Sequence, residues 1–282
     1  MDRLARLVCG SADLVDDGAT PAVLDRYYEA GGRSLDLANV YGGGDSARGV
    51  GRWLEATGLR DELVLYVKGC HPPRCSPDLV ESEVEQARAG LGVDALDNFM
   101  LHRDDLAFPV AAWGEALLRE VERGTIRSFG VSNWTNERFE KLRAELGDDA
   151  RHVATFSNQF ALVEMVTPAW PGTLTMTKGD LDALAGEGIL ALAWSSLGAG
   201  YLTGNGNPSW ESPENEQRRD RAGELAQKHG TTATAIGLAY VLHQPDNVLA
   251  LIGTRSVLHL DELLSAAGVD LSDDEVAWLE RG

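Results

Sequence analysis

The feature that most restricts this chain is a unit that keeps recurring: a run of four to six apolar residues, a polar loop, then a helix of 3.6-residue periodicity. Short apolar runs alternating with amphipathic helices signal a parallel sheet, because parallel strands need a crossover and a helix supplies it. The runs are Leu7-Val8-Cys9-Gly10, Ser34-Leu35-Asp36-Leu37-Ala38, Leu63 to Val67, Asp97 to Leu101, Ile126 to Val131, Val153 to Phe156, Ile189 to Ala193 and Val248 to Ile252. Eight such units fill the chain without a linker. That regularity predicts one closed (β/α)8 TIM barrel, a single domain over residues 1–282, rather than an open sheet.

The residues between the runs punctuate the helices. Thr20-Pro21 predicts an N-cap followed by a proline at the first helical position, where its missing N–H is not needed. Thr135 and Thr231-Thr232 are further caps, and Gly58, Gly124 and Gly147 end helices. After the seventh run comes the longest loop, Gly198 to about Asn215, rich in Gly, Asn, Pro and Ser. Loops that long in a compact fold are usually functional. A less regular segment carrying Pro168 and Pro171 precedes the helix near Lys178 to Gly186.

In a barrel of this kind the C-terminal strand ends converge on one face, where active sites form. Here they deliver Asp36, Lys68, His102, Ser132-Asn133, Gln159, Trp194 and Thr254-Arg255, with Tyr41 against Gly42-Gly43-Gly44 just beyond the second run. Each has a plainer reading. Asp36 with Lys68 makes a structural ion pair, His102 a satisfied barrel histidine, Asn133 a loop tie, Trp194 core filling. Together they form a set for proton chemistry. A tyrosine near its free pKa of about 10 is a poor acid, and an adjacent ammonium favours its phenolate. The set suits protonating an oxygen that becomes an alkoxide, with His102 bonding that oxygen. It holds no hydride donor, so a cofactor must supply one. Ser132, Asn133 and Gln159 suit a carboxamide, and Trp194 offers a flat face to a nicotinamide ring. No Gly-x-Gly-x-x-Gly follows the first run, which argues against a Rossmann cofactor site.

Composition narrows the partners. With 25 basic and 44 acidic residues the net charge is −19, which opposes adsorption to nucleic acid or an anionic membrane. An anionic ligand must therefore meet a local basic patch. No apolar run approaches the roughly 20 residues that span a bilayer, and the start, Met1-Asp2-Arg3-Leu4-Ala5-Arg6, is too charged for a signal peptide. Three cysteines suit a reducing cytosol, so the expectation is a cytoplasmic protein, a monomer or small homo-oligomer. Cys70-His71-x3-Cys75 has no second Cys/His pair at zinc spacing, and no metal is expected.

Seven stretches, in order over about 250 residues, resemble the aldo-keto reductases: Asp36-Leu37-Ala38-Asn39-Val40-Tyr41-Gly42, Val67-Lys68-Gly69, Leu101-His102-Arg103, Gly130-Val131-Ser132-Asn133-Trp134, Asn158-Gln159, Ala193-Trp194-Ser195-Ser196-Leu197-Gly198 and Ile252-Gly253-Thr254-Arg255. The resemblance implies a barrel binding NADPH across its strand ends and reducing an aldehyde or ketone. It implies Tyr41 as general acid, Lys68 and Asp36 tuning it, and His102 orienting the carbonyl. By the same resemblance Ser132, Asn133 and Gln159 hold the carboxamide, and Trp194, where the family often has tyrosine, stacks on the ring. Ser195, Ser196, Leu197, Gly253, Thr254, Arg255, His259 and Glu262 follow the rest of the cofactor. Asn39, His71, Trp134 and residues around Trp210 are expected at the mouth.

Four departures accompany the match. The family's N-terminal hairpin is nearly absent, Leu37 replaces a usual threonine, and Cys70 stands where a small residue is common. His259, Glu262 and Leu263 stand where the family often has Gln or Arg, then Glu-Asn. With that asparagine missing, Arg255 is the best partner for a 2′-phosphate, so NADP is favoured and NAD stays open. Two other readings use the same residues: a nicotinamide-sensing regulatory subunit, and a barrel hydrolase or isomerase working with Asp36 and His102.

Overall fold

The computed structural model describes residues 2–15, 18–205 and 207–281. Its strands are β1 (Leu7–Gly10), β2 (Ser34–Ala38), β3 (Val64–Gly69), β4 (Leu96–Leu101), β5 (Ile126–Ser132), β6 (Val153–Ser157), β7 (Leu190–Ala193) and β8 (Val248–Ile252). They pair in chain order, all parallel, and β8 closes back onto β1. The helices are α1 (Ala19–Glu29), α2 (Asp45–Thr57), α3 (Val80–Leu91), α4 (Val110–Glu122), α5 (Asn136–Leu146), α6 (Lys178–Gly186), α7 (Pro213–His229), α8 (Ala233–His243), α9 (Val257–Ser265) and α10 (Asp273–Glu280). The expected (β/α)8 TIM barrel is the fold.

Alternation along each strand separates two cores. Val8, Tyr66, Met100, Leu192, Leu249 and Leu251 point inward and fill the barrel. Their neighbours, such as Leu7, Cys9, Leu65, Val67, Phe99 and Leu101, point outward and pack beneath the helices. Part of the interior is polar but satisfied. Asn98 Nδ2 donates to Ser128 Oγ at 3.0 Å, and Thr155 Oγ1 donates to Asn98 Oδ1 at 2.8 Å.

The bottom of the barrel lacks a hairpin among the described residues. The chain instead enters through a single 3-10 turn, Leu4–Arg6, that runs directly into β1. Buried Arg6 fastens this entry to the approach of β8: Nε donates to the Val248 carbonyl (2.9 Å), Nη1 to Leu242 (2.8 Å), and Nη2 to Gln244 and Pro245 (3.0 and 2.9 Å).

Some local expectations need correction. Thr20 is not a cap: α1 begins at Ala19, and the Thr20 hydroxyl turns back to donate to the Val15 carbonyl. The loop after β7 is shorter and more ordered than its composition suggests. It contains 3-10 turns at Tyr201–Thr203 and Pro208–Trp210, and Ser212 caps α7 well before the expected end at Asn215. Asn215 lies inside α7 and clamps the loop, its Nδ2 donating to the Glu164 and Trp210 carbonyls at 2.7 Å each. Thr135 and Thr232 cap α5 and α8 as expected.

Gly130 on β5 marks the tightest contact in the barrel wall. The β5–β6 register shifts between Phe129 and Gly130, and a Cβ on Gly130 would lie 2.0 Å from Thr155 Oγ1 and 2.2 Å from the Thr155 carbonyl oxygen. The second obstacle is backbone, which no rotamer change relieves. Gly130→Ala is expected to cost about 3 kcal/mol, the upper part of the usual overpacking range, read as an earlier midpoint in urea unfolding. An unchanged midpoint would mean that β5 and β6 can separate freely.

Candidate active site

The strand ends open into one cleft of about 1720 Å³. The register carries the side chains to it: Ala38 pairs with Lys68 across β2 and β3, and Lys68 pairs with Met100 across β3 and β4. Asp36 and Lys68 are both buried, and Lys68 Nζ meets Asp36 Oδ1 at 2.8 Å as an ion pair. Beyond β2 the chain makes a tight turn through Gly42, Gly43 and Gly44, with φ of +56°, +63° and +94°. These left-handed values favour glycine. The turn folds Tyr41 back over the ion pair, with the Lys68 ammonium 5.8 Å from the centre of its ring.

The electrostatics of this group follow from burial. Tyr41 is half-buried as a residue, with its hydroxyl among protein atoms within reach of Asp36 and Lys68. Burial is the largest influence on it and raises its pKa above the ordinary phenol value; Lys68 pulls the other way, and Asp36 adds to the rise. The expectation that Lys68 lowers the phenol pKa outright is therefore corrected. Burial outweighs the pull of Lys68, and Tyr41 stays neutral. Burial opposes the charge on Lys68, but Asp36 and Tyr41 outweigh it and hold the ammonium above its usual pKa. Asp36 feels burial first, upward, against the pull of Lys68.

His102 closes the floor of the cleft. It is 8% exposed, its ring lies edge-on to Tyr41 at 6.0 Å and to His71 at 5.0 Å, and its Nδ1 has no hydrogen-bond partner among the described residues. Burial, then Lys68, Arg103 and His71, hold its pKa well below 6.5, so the imidazole is neutral. Asp36, Tyr41, Lys68 and His102 thus meet at one place.

The groups expected near a cofactor divide. Ser132, Asn133, Trp194, Ser195, Ser196, Leu197, Gly253, Thr254, His259 and Glu262 line the cleft. Gln159 lies just under its wall, buried, with Nε2 unpartnered. Asn133 is also a loop tie: at φ +58° its Nδ2 donates to the His102 carbonyl (3.3 Å) and Ser132 Oγ (3.0 Å), while its Oδ1 accepts from the Leu174 amide. Ser196 Oγ donates to the Leu251 carbonyl at 2.6 Å. Arg255 is exposed and stands outside the cleft lining, just before Ser256, which caps α9.

Of the residues expected at the mouth, only His71 is there. Asn39 is buried on the outer side of β2, its Nδ2 donating to the carbonyl and carboxylate of Glu83 on α3. Trp134 is fully buried beside Trp113, with the Arg138 guanidinium over its ring. Trp210 is fully buried and packs near Gly198. The mouth is instead rimmed by Val40, Leu106 and Trp170, 43%, 78% and 53% exposed, and Trp170 approaches Trp194 at 6.0 Å. Nothing in the periodicity marked Leu106 or Trp170; the only hint was the proline-rich irregularity before α6.

Comparison with known proteins agrees in family. The family model described as the Aldo/keto reductase family matches residues 9–281. Norsolorinic acid reductase stcV of Emericella nidulans is 29% identical over 92% of this chain and 70% of its own length. The 6-dehydroglucose reductase of Agrobacterium fabrum is 26% identical over 98% of this chain and 93% of its own. An aldo-keto reductase from Klebsiella pneumoniae, solved in complex with NADPH, superposes with a TM-score of 0.78 at 23% identity, covering 98% of this chain and 89% of that one.

The neutral His102 has a consequence for stability. In the unfolded chain a histidine takes a proton below pH about 6.5, whereas the folded protein refuses it until much lower pH. The unfolded state then binds more protons, so folding stability falls as pH drops below that point. Urea unfolding between pH 6.5 and 5 is expected to lose up to about 1.4 kcal/mol per pH unit from this residue, and His102→Gln flattens that part of the profile. Glu275, depressed to about 2 by Lys228 and the Ser272 backbone, acts only at lower pH. An unaltered slope in the variant would assign the loss to other groups.

Proposed function

The chain belongs to the aldo/keto reductase family, and from that premise we propose that it reduces an aldehyde or ketone to an alcohol, with NADPH as hydride source and in a cytoplasmic setting. The observation that carries this reading is the half-buried phenol of Tyr41 over the buried Lys68–Asp36 pair, facing a neutral histidine in a cleft large enough for cofactor and substrate.

The residues present fit a nicotinamide cofactor. The buried, unpartnered Nε2 of Gln159 offers a donor to a carboxamide oxygen, Ser132 and Asn133 stand nearby, and Trp194 offers a ring face. The N-terminus of α8, capped by Thr232, lines the same cleft and suits phosphate oxygens. When bound, the cofactor supplies the hydride. The chain supplies the rest. Neutral His102 donates a hydrogen bond to the carbonyl oxygen and fixes its position. Tyr41 gives its hydroxyl proton to that oxygen as negative charge develops there. The Lys68 ammonium then stabilises the phenolate left behind, and Asp36 keeps the ammonium charged and in place. Lys68 acts on the transition state, where charge appears on Tyr41, rather than on the resting phenol.

The relatives are named for reducing different compounds, norsolorinic acid in one and 6-dehydroglucose in another, which supports a reductase reading and leaves the substrate open. A fall in reduced-nicotinamide absorbance with a test aldehyde checks the reading. Cofactor binding without turnover would favour a nicotinamide sensor, and absence of binding a hydrolase or isomerase. Tyr41→Phe is expected to keep cofactor affinity and lose roughly 10²–10⁴ in turnover, the worth of a positioned acid. Near-normal reduction by this variant would move the acid role to His102.

Cofactor choice is assigned to Arg255. In a chain of charge −19 a 2′-phosphate needs a local cation, and Arg255 sits between β8 and the N-terminus of α9. A charge-assisted hydrogen bond contributes roughly 1.5–3 kcal/mol, or about tenfold to over a hundredfold in affinity. Arg255→Ala should weaken NADPH by that order and NADH little. Equal small losses in fluorescence titrations with both cofactors would reject the phosphate role.

A further inference from the structure

Arg103 follows His102 directly and is not one of the four groups of the proton-transfer set, although its charge helps to keep His102 neutral. The residue is 8% exposed and lines the cleft. Nη1 donates to the His102 carbonyl at 2.8 Å and Nε to the Pro171 carbonyl at 3.4 Å, so two stretches of backbone hold the guanidinium in place. Nη2 has no hydrogen-bond partner among the described residues, and no carboxylate among them pairs with Arg103. The adjacent Asp104 pairs with Arg138 through Oδ2, its Oδ1 makes no bond to Arg103, and Asp36 pairs with Lys68. A buried guanidinium without an anion is costly to keep. A chain with 44 acidic residues has no shortage of carboxylates to supply one. The other carboxylates on the cleft wall, Asp13 and Glu262, belong to the β1–α1 loop and α9, on the far side of the barrel from β4.

We propose that Arg103 anchors an acidic group on the substrate: the carbonyl compounds this protein prefers carry a carboxylate, or an anion of similar shape, on an apolar body. This rests on the carbonyl-reductase reading. His102 and Tyr41 fix where the carbonyl oxygen lies, and Arg103 is the next residue along β4's end, so the acid and the carbonyl lie close together on one small molecule. The rest of that molecule meets Val40, Leu106 and Trp170 at the mouth. A planar guanidinium with a free edge matches a carboxylate better than an ammonium does.

The test compares benzaldehyde with 3-carboxybenzaldehyde and 4-carboxybenzaldehyde, each reduced with NADPH by the wild type, Arg103→Met and Arg103→Lys. The wild type is expected to prefer a carboxylated aldehyde by at least about tenfold in kcat/KM, mainly through KM, the lower end of a charge-assisted contact. Arg103→Met should reduce that preference by about tenfold to a hundredfold, and Arg103→Lys should restore part of it. The same preference ratio in wild type and Arg103→Met overturns the proposal. A second measurement needs no turnover and no variant: the affinity of the wild type, saturated with NADP, for benzoate against benzamide, followed by tryptophan fluorescence. Benzoate binding no tighter than benzamide also overturns it. Tighter benzoate with none of the three aldehydes reduced would keep the anion site and reject the reductase reading instead.

Discussion

The rest of the strand-end face depends on one buried contact, the Lys68 ammonium against the Asp36 carboxylate. Both charges are taken out of water, and such pairs rarely repay their desolvation as stability. What the contact provides is a fixed positive charge under a phenol. It exists because β2 and β3 run parallel in a register that sets Lys68 beside Ala38, two residues past Asp36. The three-glycine turn then returns Tyr41 to the same point. Fold, register and turn together bring the Lys68 ammonium and the Tyr41 phenol to one point.

Around that contact the polar groups fall into two kinds. Some, such as Asn133 and Ser196, spend their hydrogen bonds on the protein itself and hold loops to strand ends. Others, Gln159 Nε2 and His102 Nδ1 among them, are buried with no hydrogen-bond partner among the described residues. Unpartnered buried atoms also occur away from the strand ends, on Trp113, Trp134 and Asn247 among others, so His102 Nδ1 is set apart by facing the cleft rather than by lacking a partner. A second support lies behind the site. Glu83 on α3 accepts from Asn39 Nδ2 and the Cys70 amide and pairs with Arg74, which ties the exits of β2 and β3 to one helix.

The strands, most of the helix caps and the four groups at the centre were legible because each rests on local chemistry: alternation, a threonine before a helix, a charged residue ending an apolar run. Direction was harder to read. Asn39 could have been placed by parity alone, since Asp36 and Ala38 face inward and the residue after them faces out toward α3. Trp134 follows Asn133, whose left-handed backbone reverses the chain and sends the indole into the helix layer. Trp210 is held by a clamp from Asn215 that no sequence period reveals. The rim went unread for the opposite reason. Leu106 and Trp170 lie in segments without periodicity, where only tertiary contacts decide which way a side chain points.

The fastening at the barrel's entry sets the order in which the chain can be finished. Leu7 pairs with Ala250, and Arg6 reaches carbonyls that are 236 to 242 positions further along. During synthesis β1 can take β2 as a neighbour early, but its other edge has no partner until β8 has emerged. Contacts this distant in sequence form late and slowly. A nascent or truncated chain ending before β8 therefore carries an exposed strand edge and an unsatisfied buried arginine, features that invite association with other chains. The seam between the first and last strands is where this protein is most dependent on being made to its end.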